Sequence, residues 1–217
     1  MSPTHFASPT AGGTITSQPP AGVIVLHPWW GLNADTLAFA DRLADNGFVV
    51  AAPDLYDGKV ATTIEDADRM SSAVVEDVVD AQVLETVDAL LARMGNSSAR
   101  LGVVGFSFGA AWALWLPAQR PEVVATVVYY GTIEGPSLAR ARVPVLGHFA
   151  ETDPYETAEG VEAFERTLRT AGREVEINQY PATGHWFSEP SNAAYDAPAA
   201  ELAFERTLAF LDRHLRA

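Results

Sequence analysis

Apolar residues along this chain follow two alternating rhythms. Short runs rich in Val and Ile, at Gly22–His27, Phe48–Ala52, Leu101–Phe106, Val123–Tyr130, Val143–Phe149 and Glu174–Tyr180, predict strands. Several are apolar throughout, which is how a strand covered on both faces of a parallel sheet reads. Between them run apolar stripes at helical spacing. Ala34–Asn46 carries Leu37, Ala40, Leu43 and Ala44, and Ser72–Met94 carries Val75, Val78, Val79, Leu84, Val87 and Leu91. Thr157–Ala171 carries Val161, Phe164 and Leu168, and Ala199–Leu215 carries Leu202, Leu208, Leu211 and Leu215. The first three stop at Gly47, Gly95 and Gly172, residues suited to a helix C-terminus. Alternation of strand and helix predicts an α/β fold with a mostly parallel sheet, helices on both faces and right-handed crossovers. Residues 1–13, rich in Ser, Pro, Thr and Gly, are expected to be a flexible lead-in. At most a short edge strand lies near Thr14–Ser17. Residues 14–217 are expected to form one domain, with no internal repeat or linker.

Composition narrows the partners. Among 217 residues, 14 Lys and Arg face 28 Asp and Glu, a formal net charge of −14. That balance opposes nucleic acid and anionic membrane surfaces, both of which are held by clustered Lys and Arg. There is no cysteine, which removes disulfides, thiolate metal sites and a Cys nucleophile together. No Lys or Arg precedes Arg42, so a signal peptide would lack its positive region, and the apolar stretch Val103–Leu116 is too short to span a bilayer. A cytoplasmic monomer or homodimer is the expectation. Asp54 and Asp57 lack a second ligand group, and there is neither a P-loop nor a dinucleotide fingerprint, so neither metal nor cofactor is expected.

One segment carries chemistry. Gly105-Phe106-Ser107-Phe108-Gly109 matches G-x-S-x-G, follows a strand and opens the helix Phe108–Ala118. A serine on so sharp a strand-to-helix turn crowds its neighbours two residues away, and glycine on both sides relieves the crowding. The turn would expose the Ser107 hydroxyl and set the Phe108 amide beside it, where negative charge develops during acyl transfer.

A serine nucleophile needs a base and an orienting acid, expected in the order Ser, acid, His. Asp153 lies in the loop after Val143–Phe149, with Glu151 as the alternative acid, and His185 follows the strand ending at Tyr180. Each sits at the C-terminal end of a strand, the edge where open α/β sheets hold ligands. His185 would take and return the proton; Asp153 would hold its tautomer. Asp153 before Pro154 also reads as an ordinary helix cap. The remaining histidines are less suited: His5 is near the terminus, His214 in the last helix, His148 within a strand, and His27 shapes the loop that follows it. That loop, His27-Pro28-Trp29-Trp30-Gly31-Leu32-Asn33, offers the Trp29 amide as a second oxyanion donor. Aromatics Trp30, Tyr56, Tyr130, Tyr155 and Trp186 are candidate pocket residues, while Phe106, Trp112 and Trp115 read as packing.

Taken together, His27–Asn33, Pro53-Asp54-Leu55-Tyr56, Gly105–Gly109, the Asp153 loop and Gly184-His185-Trp186-Phe187 resemble the dienelactone hydrolase family of α/β hydrolases, over roughly residues 20–215. The resemblance implies a three-layer α/β-hydrolase fold without a large lid domain. It implies Ser107, Asp153 and His185 as triad and the Trp29 and Phe108 amides as oxyanion donors. Three positions depart from the family pattern. Ser107 replaces the family's cysteine, Pro28 stands where a glutamate meets that thiol, and Glu189 stands where an arginine grips a substrate carboxylate. The expected activity is cleavage of small, neutral, fairly apolar esters or lactones. A thioesterase, peptidase or perhydrolase with the same triad, and a non-catalytic binding module, are the alternatives.

Overall fold

The computed structural model of the protein describes residues 4–9, 21–95, 99–135, 138 and 143–216. Its frame is a seven-stranded sheet: β1 Thr4–Ala7, β2 Ala21–Leu26, β3 Phe48–Pro53, β4 Leu101–Phe106, β5 Val123–Tyr129, β6 Val145–Thr152 and β7 Val175–Gly184. The spatial order is β1-β3-β2-β4-β5-β6-β7, with β1 antiparallel to β3 and every other pair parallel. All six residues of both β2 and β4 are buried, matching their unbroken apolar runs. Among the described residues six helices accompany the sheet: α1 Ala34–Asp45, α2 Ile64–Ser72, α3 Glu76–Met94, α4 Phe108–Gln119, α5 Ala158–Thr170 and α6 Ala197–Leu215.

Two apolar layers form, one on each face. Val79, Val83, Val87, Leu90 and Leu91 of α3, with Ala110, Ala113 and Leu114 of α4 and Phe164 and Leu168 of α5, pack against one face. Ala40, Leu43 and Ala44 of α1 and Phe204, Phe210, Leu211 and Leu215 of α6 cover the other. Each fully buried Val, Leu or Phe contributes roughly 1.5–3 kcal/mol by leaving water. Side chains close the helix starts: Asn33, Thr63, Thr157 and Asp196 accept from the Thr36, Asp66, Gly160 and Ala199 amides.

Three expectations are corrected. The lead-in at residues 1–13 is not wholly flexible, because Thr4–Ala7 pairs with Val50–Pro53 and closes the sheet edge. Phe6 packs on the core and His5 meets Asp41 at 3.0 Å, contacts that a four-residue strand with one aromatic does not advertise in sequence. The expected strand near Thr14–Ser17 lies outside the described residues. Secondly, the expected helix Ser72–Met94 is broken at Ala73–Val75, separating α2 from α3. Val75 adopts an extended backbone (φ −95°, ψ 111°), and β-branched Val74 and Val75 after Ser71 and Ser72 weakly favour a helix. Val75 and Val78 therefore fall off the core stripe, at 60% and 53% exposure. Gly95 closes α3 in the left-handed region (φ 62°). Leu202 likewise faces outward, at 41% exposure; α6 turns Ala203 and Phe204 inward instead.

The chain runs from β2 outward to β3 and then crosses to β4 on the other side of β2. Strand order thus reverses between β2 and β4, and the loops leaving their C-terminal ends splay apart there. Such a reversal leaves a crevice, where open α/β sheets bind their ligands. Among the described residues no helix is long and apolar enough to cross a membrane.

Candidate active site

Ser107 follows β4 directly. Its backbone sits at φ 45°, ψ −110°, a region that costs about 1–3 kcal/mol and persists only where surroundings impose it. They do so here: the Ser107 amide donates to Tyr129 O (2.9 Å) and the Ala110 amide to Ser107 O (2.9 Å). A Cβ on Gly105 would lie 2.6 Å from Gly109 O, and one on Gly109 would lie 2.5 Å from Leu26 O and 2.7 Å from His27 O. Both glycines are therefore sites of close approach, and the start of α4 rests on the end of β2.

The other two residues meet through pairing of β6 and β7. Their register runs as far as Thr152 opposite Gly184, so Asp153 and His185 leave the sheet side by side. The His185 Nδ1–H donates to Asp153 Oδ2 at 2.7 Å, since a carboxylate only accepts. That leaves Nε2 unprotonated and able to accept the Ser107 hydroxyl, 3.0 Å away. The second Asp153 oxygen accepts the Tyr155 (2.8 Å) and Glu156 (3.1 Å) amides. Asp153 is not the cap of α5, a role held by Thr157. The alternative acid, Glu151, points elsewhere and accepts the Ala182 amide at 2.8 Å.

Aromatic rings surround this line of groups. Tyr155 lies 4.8 Å from His185 between ring centroids, and Trp186 lies 4.9 Å from it. Trp29 and Trp30 pack on Trp186 at 6.0 and 5.4 Å, and Trp29 meets Tyr155 at 5.6 Å. The indole nitrogens of Trp29, Trp30 and Trp186 are buried without a hydrogen-bond partner among the described residues. Tyr130 is placed differently: it is fully buried, its ring backing His185 at 4.8 Å and its hydroxyl tied to Ser188 (2.9 Å) and Glu189 (2.8 Å). Tyr56 is also buried and lines a separate cavity of about 450 Å³ with Met70, Val74 and Val79. Trp112 and Trp115, read from sequence as packing, line a third space: a cavity of about 470 Å³ with Phe108, Ala111, Val74 and Ile133.

Polar side chains outside this line tie the surrounding loops and strands together. Glu156 accepts from the Thr132 amide (3.0 Å) and hydroxyl (2.7 Å), joining the loops after β5 and β6. Asp54 accepts the Tyr56 amide at 3.0 Å and also the Gly58 amide, shaping the turn after β3. His148 is held within β6 by Tyr180 (2.8 Å) and Thr207 (3.1 Å). The partners of Glu156 and His148 are distant in sequence, whereas those of Asp54 are local.

Three buried groups contribute to the pH response of the fold. Burial lowers His27 to about 4, and burial with nearby Arg206 lowers His148 to about 3. Burial, opposed by the Tyr130 hydrogen bond, lifts Glu189 from 4.5 to about 8. Below about pH 6.5 an unfolded imidazole binds a proton that the native state refuses, so both histidines withdraw stability as pH falls. Glu189 acts oppositely: between 4.5 and 8 the native state keeps a proton that the unfolded chain loses, so stability falls as pH rises. Two histidines outweigh one glutamate below 6.5, and Glu189 outweighs the remainder of their titration above it. Urea unfolding should therefore show maximal stability from these groups near pH 6.5 and a loss of about 1 kcal/mol by pH 8. Glu189→Gln should flatten that alkaline decline; an unchanged decline would refute the assignment.

The dienelactone hydrolase family model matches residues 10–215. Protein usf of Aquifex pyrophilus is 31% identical over 97% of this chain and 93% of its own length. An Aquifex aeolicus protein assigned as a carboxymethylenebutenolidase is 29% identical, covering 89% of this chain and 88% of its own. A Klebsiella pneumoniae crystal structure, assigned as a dienelactone hydrolase, superposes with TM-score 0.80 at 27% identity, covering 97% of this chain and 98% of that one. The chain belongs to the dienelactone hydrolase family, whose fold is the α/β-hydrolase sheet and whose reactions are hydrolyses of carboxylic esters and lactones.

Proposed function

We propose that this protein cleaves small, neutral, apolar esters or lactones through an acyl-enzyme on Ser107. The observation that carries the reading is the continuous hydrogen-bonded line from Ser107 Oγ to His185 Nε2 and from His185 Nδ1 to Asp153 Oδ2, at 3.0 and 2.7 Å. As Ser107 attacks the acyl carbon, its proton passes to His185 Nε2, and Asp153 stabilises the imidazolium. The tetrahedral oxyanion is held by the Phe108 amide, at the positive end of α4, and by the Trp29 amide. The imidazolium gives its proton to the leaving alcohol. Water, deprotonated by the same nitrogen, then attacks the acyl carbon and releases the acid and free Ser107.

Substrate character follows from what borders the site. The cavity beside Phe108 is walled by Val74, Ala111, Trp112, Trp115 and Ile133, with the acids Glu76, Asp80 and Glu134 and, among the described residues, no Lys or Arg. Glu189, where the family's arginine stands, is buried and neutral over much of the physiological range. Neither feature suits a carboxylate-bearing dienelactone, and the −14 net charge opposes it from a distance. Thioesters, peptides and peracids remain chemically open to the same line of groups.

A fluorophosphonate probe followed by peptide mass spectrometry tests the reading. Stoichiometric modification of Ser107 in folded protein, lost on denaturation, is expected. Folded protein that hydrolyses p-nitrophenyl acetate while Ser107 stays unmodified would overturn the acyl-enzyme, and protein inert to both would favour a binding module.

A further inference from the structure

The loop after β2 contains a group that the proposed reaction does not use directly. His27 is completely buried at the end of β2, with both ring nitrogens engaged. Leu55 donates its amide to Nε2 at 3.1 Å, so Nε2 carries no proton. The ring proton therefore sits on Nδ1, which donates to the Pro28 carbonyl at 2.7 Å. The Gly31 amide donates to that same carbonyl at 3.1 Å. Two donors thus hold one peptide plane, Pro28–Trp29. In a trans peptide the C=O and N–H point in opposite directions, and among the described residues no peptide bond is cis.

The sheet order gives the direction. Leu55 follows β3, so the His27 ring leans to the β3 side of β2, and the Pro28 carbonyl turns towards it. A Trp29 N–H opposite that carbonyl would face away from β3, to the side where β4 leads into Ser107. Gly109 packs on Leu26 O and His27 O, so this amide and the start of α4 border one space. We infer that His27 is a positioning residue: its Nδ1–H fixes the Pro28–Trp29 peptide so that the Trp29 amide serves as oxyanion donor. This rests on the acyl-enzyme reading. It also gives Pro28 a purpose, since its carbonyl is needed while its missing N–H is not. Desolvation, which holds the imidazole neutral down to about pH 4, keeps the Nε2 acceptor available to Leu55 throughout the working range.

Two substitutions separate this role from simple packing. Asparagine places an amide NH2 near Nδ1 and keeps the bond to Pro28 O, losing the one from Leu55. Glutamine places its amide oxygen near Nε2 and keeps the Leu55 bond, losing the one to Pro28. For Ser107-dependent ester turnover, His27→Gln should lower kcat about 100-fold with KM changed less than about threefold, the loss typical of one oxyanion donor. His27→Asn should recover most of that kcat even where its Tm is the lower of the two. Equal kcat losses, or losses that track Tm, would overturn the proposal. Should both variants fail to fold, long-range 1H–15N NMR of the histidine-labelled wild type at pH 7.5 decides: His27 protonated on Nδ1 is expected, and protonation on Nε2 would overturn it. Turnover that survives Ser107→Ala would instead bring down the acyl-enzyme reading, leaving the tautomer result standing by itself.

Discussion

Asp153→Asn should lower kcat by about four orders of magnitude while the fold stays intact. The reason is tautomeric rather than electrostatic alone. Asp153 Oδ1 accepts two backbone amides, from Tyr155 and Glu156, so an asparagine there must keep its carbonyl oxygen facing them. Its NH2 group is then forced towards His185 Nδ1, which can satisfy it only by giving up its own proton. The ring proton moves to Nε2, the atom that must accept from Ser107. A base carrying its proton on the wrong nitrogen is inactive, and losses near 10⁴ accompany that inversion in serine hydrolases. Glu151→Gln supplies the contrast. Glu151 accepts the Ala182 amide, a bond that glutamine can retain through its amide oxygen, so kcat should stay within about threefold. Steady-state kinetics on p-nitrophenyl acetate measures both. Comparable losses in the two variants would mean that the acid has been misassigned.

Gly109→Ala should cost about 2 kcal/mol or more of stability and, in the protein that still folds, about 100-fold in kcat. Helix propensity alone predicts the reverse, since alanine in a helix is favoured over glycine by about 1 kcal/mol. Packing decides the sign. The added carbon would sit 2.5 Å from Leu26 O and 2.7 Å from His27 O, backbone atoms that cannot rotate aside. Either β2 or α4 must shift, and forced overpacking of this kind costs about 1–3 kcal/mol. The shift also separates the amides of Trp29 and Phe108, and a displacement of about 1 Å at reacting groups can lower rate about 100-fold. Gly160→Ala in α5 is the control: its Cβ would meet only Thr157 Oγ1, at 3.3 Å. Urea midpoints should fall for the first and hold or rise for the second. A Gly109→Ala protein as stable and active as wild type would contradict the close approach.

Much of the frame is legible in the chain because its elements announce themselves locally. Unbroken Val and Ile runs mark β2 and β4 since both faces of a central parallel strand are covered. The edge strand β1 is hidden, because four half-buried residues with a single neighbour strand carry no periodic signal. The helix break at Ala73–Val75 is hidden for a related reason: an apolar stripe continues across it in sequence while the backbone turns away. The three residues whose side chains meet in one hydrogen-bonded line, Ser107, His185 and Asp153, each follow a strand that the sequence marks. Pocket membership carries no such mark. Tyr130 and Tyr155 are both aromatics in such loops, yet one is buried behind His185 and the other half exposed beside it.

By itself, then, the order of residues determined a doubly covered parallel sheet, a serine on a strained turn, and an acid and a histidine following later strands. Those properties depend on neighbours within a few positions, where steric and periodic rules act. Tertiary structure alone decided which oxygen of Asp153 meets which nitrogen of His185, and which proton His27 carries. It also set the neutrality of Glu189. Tautomers and protonation states answer to partners brought from remote parts of the chain and to the exclusion of water, and neither quantity exists until the two layers have closed over the sheet.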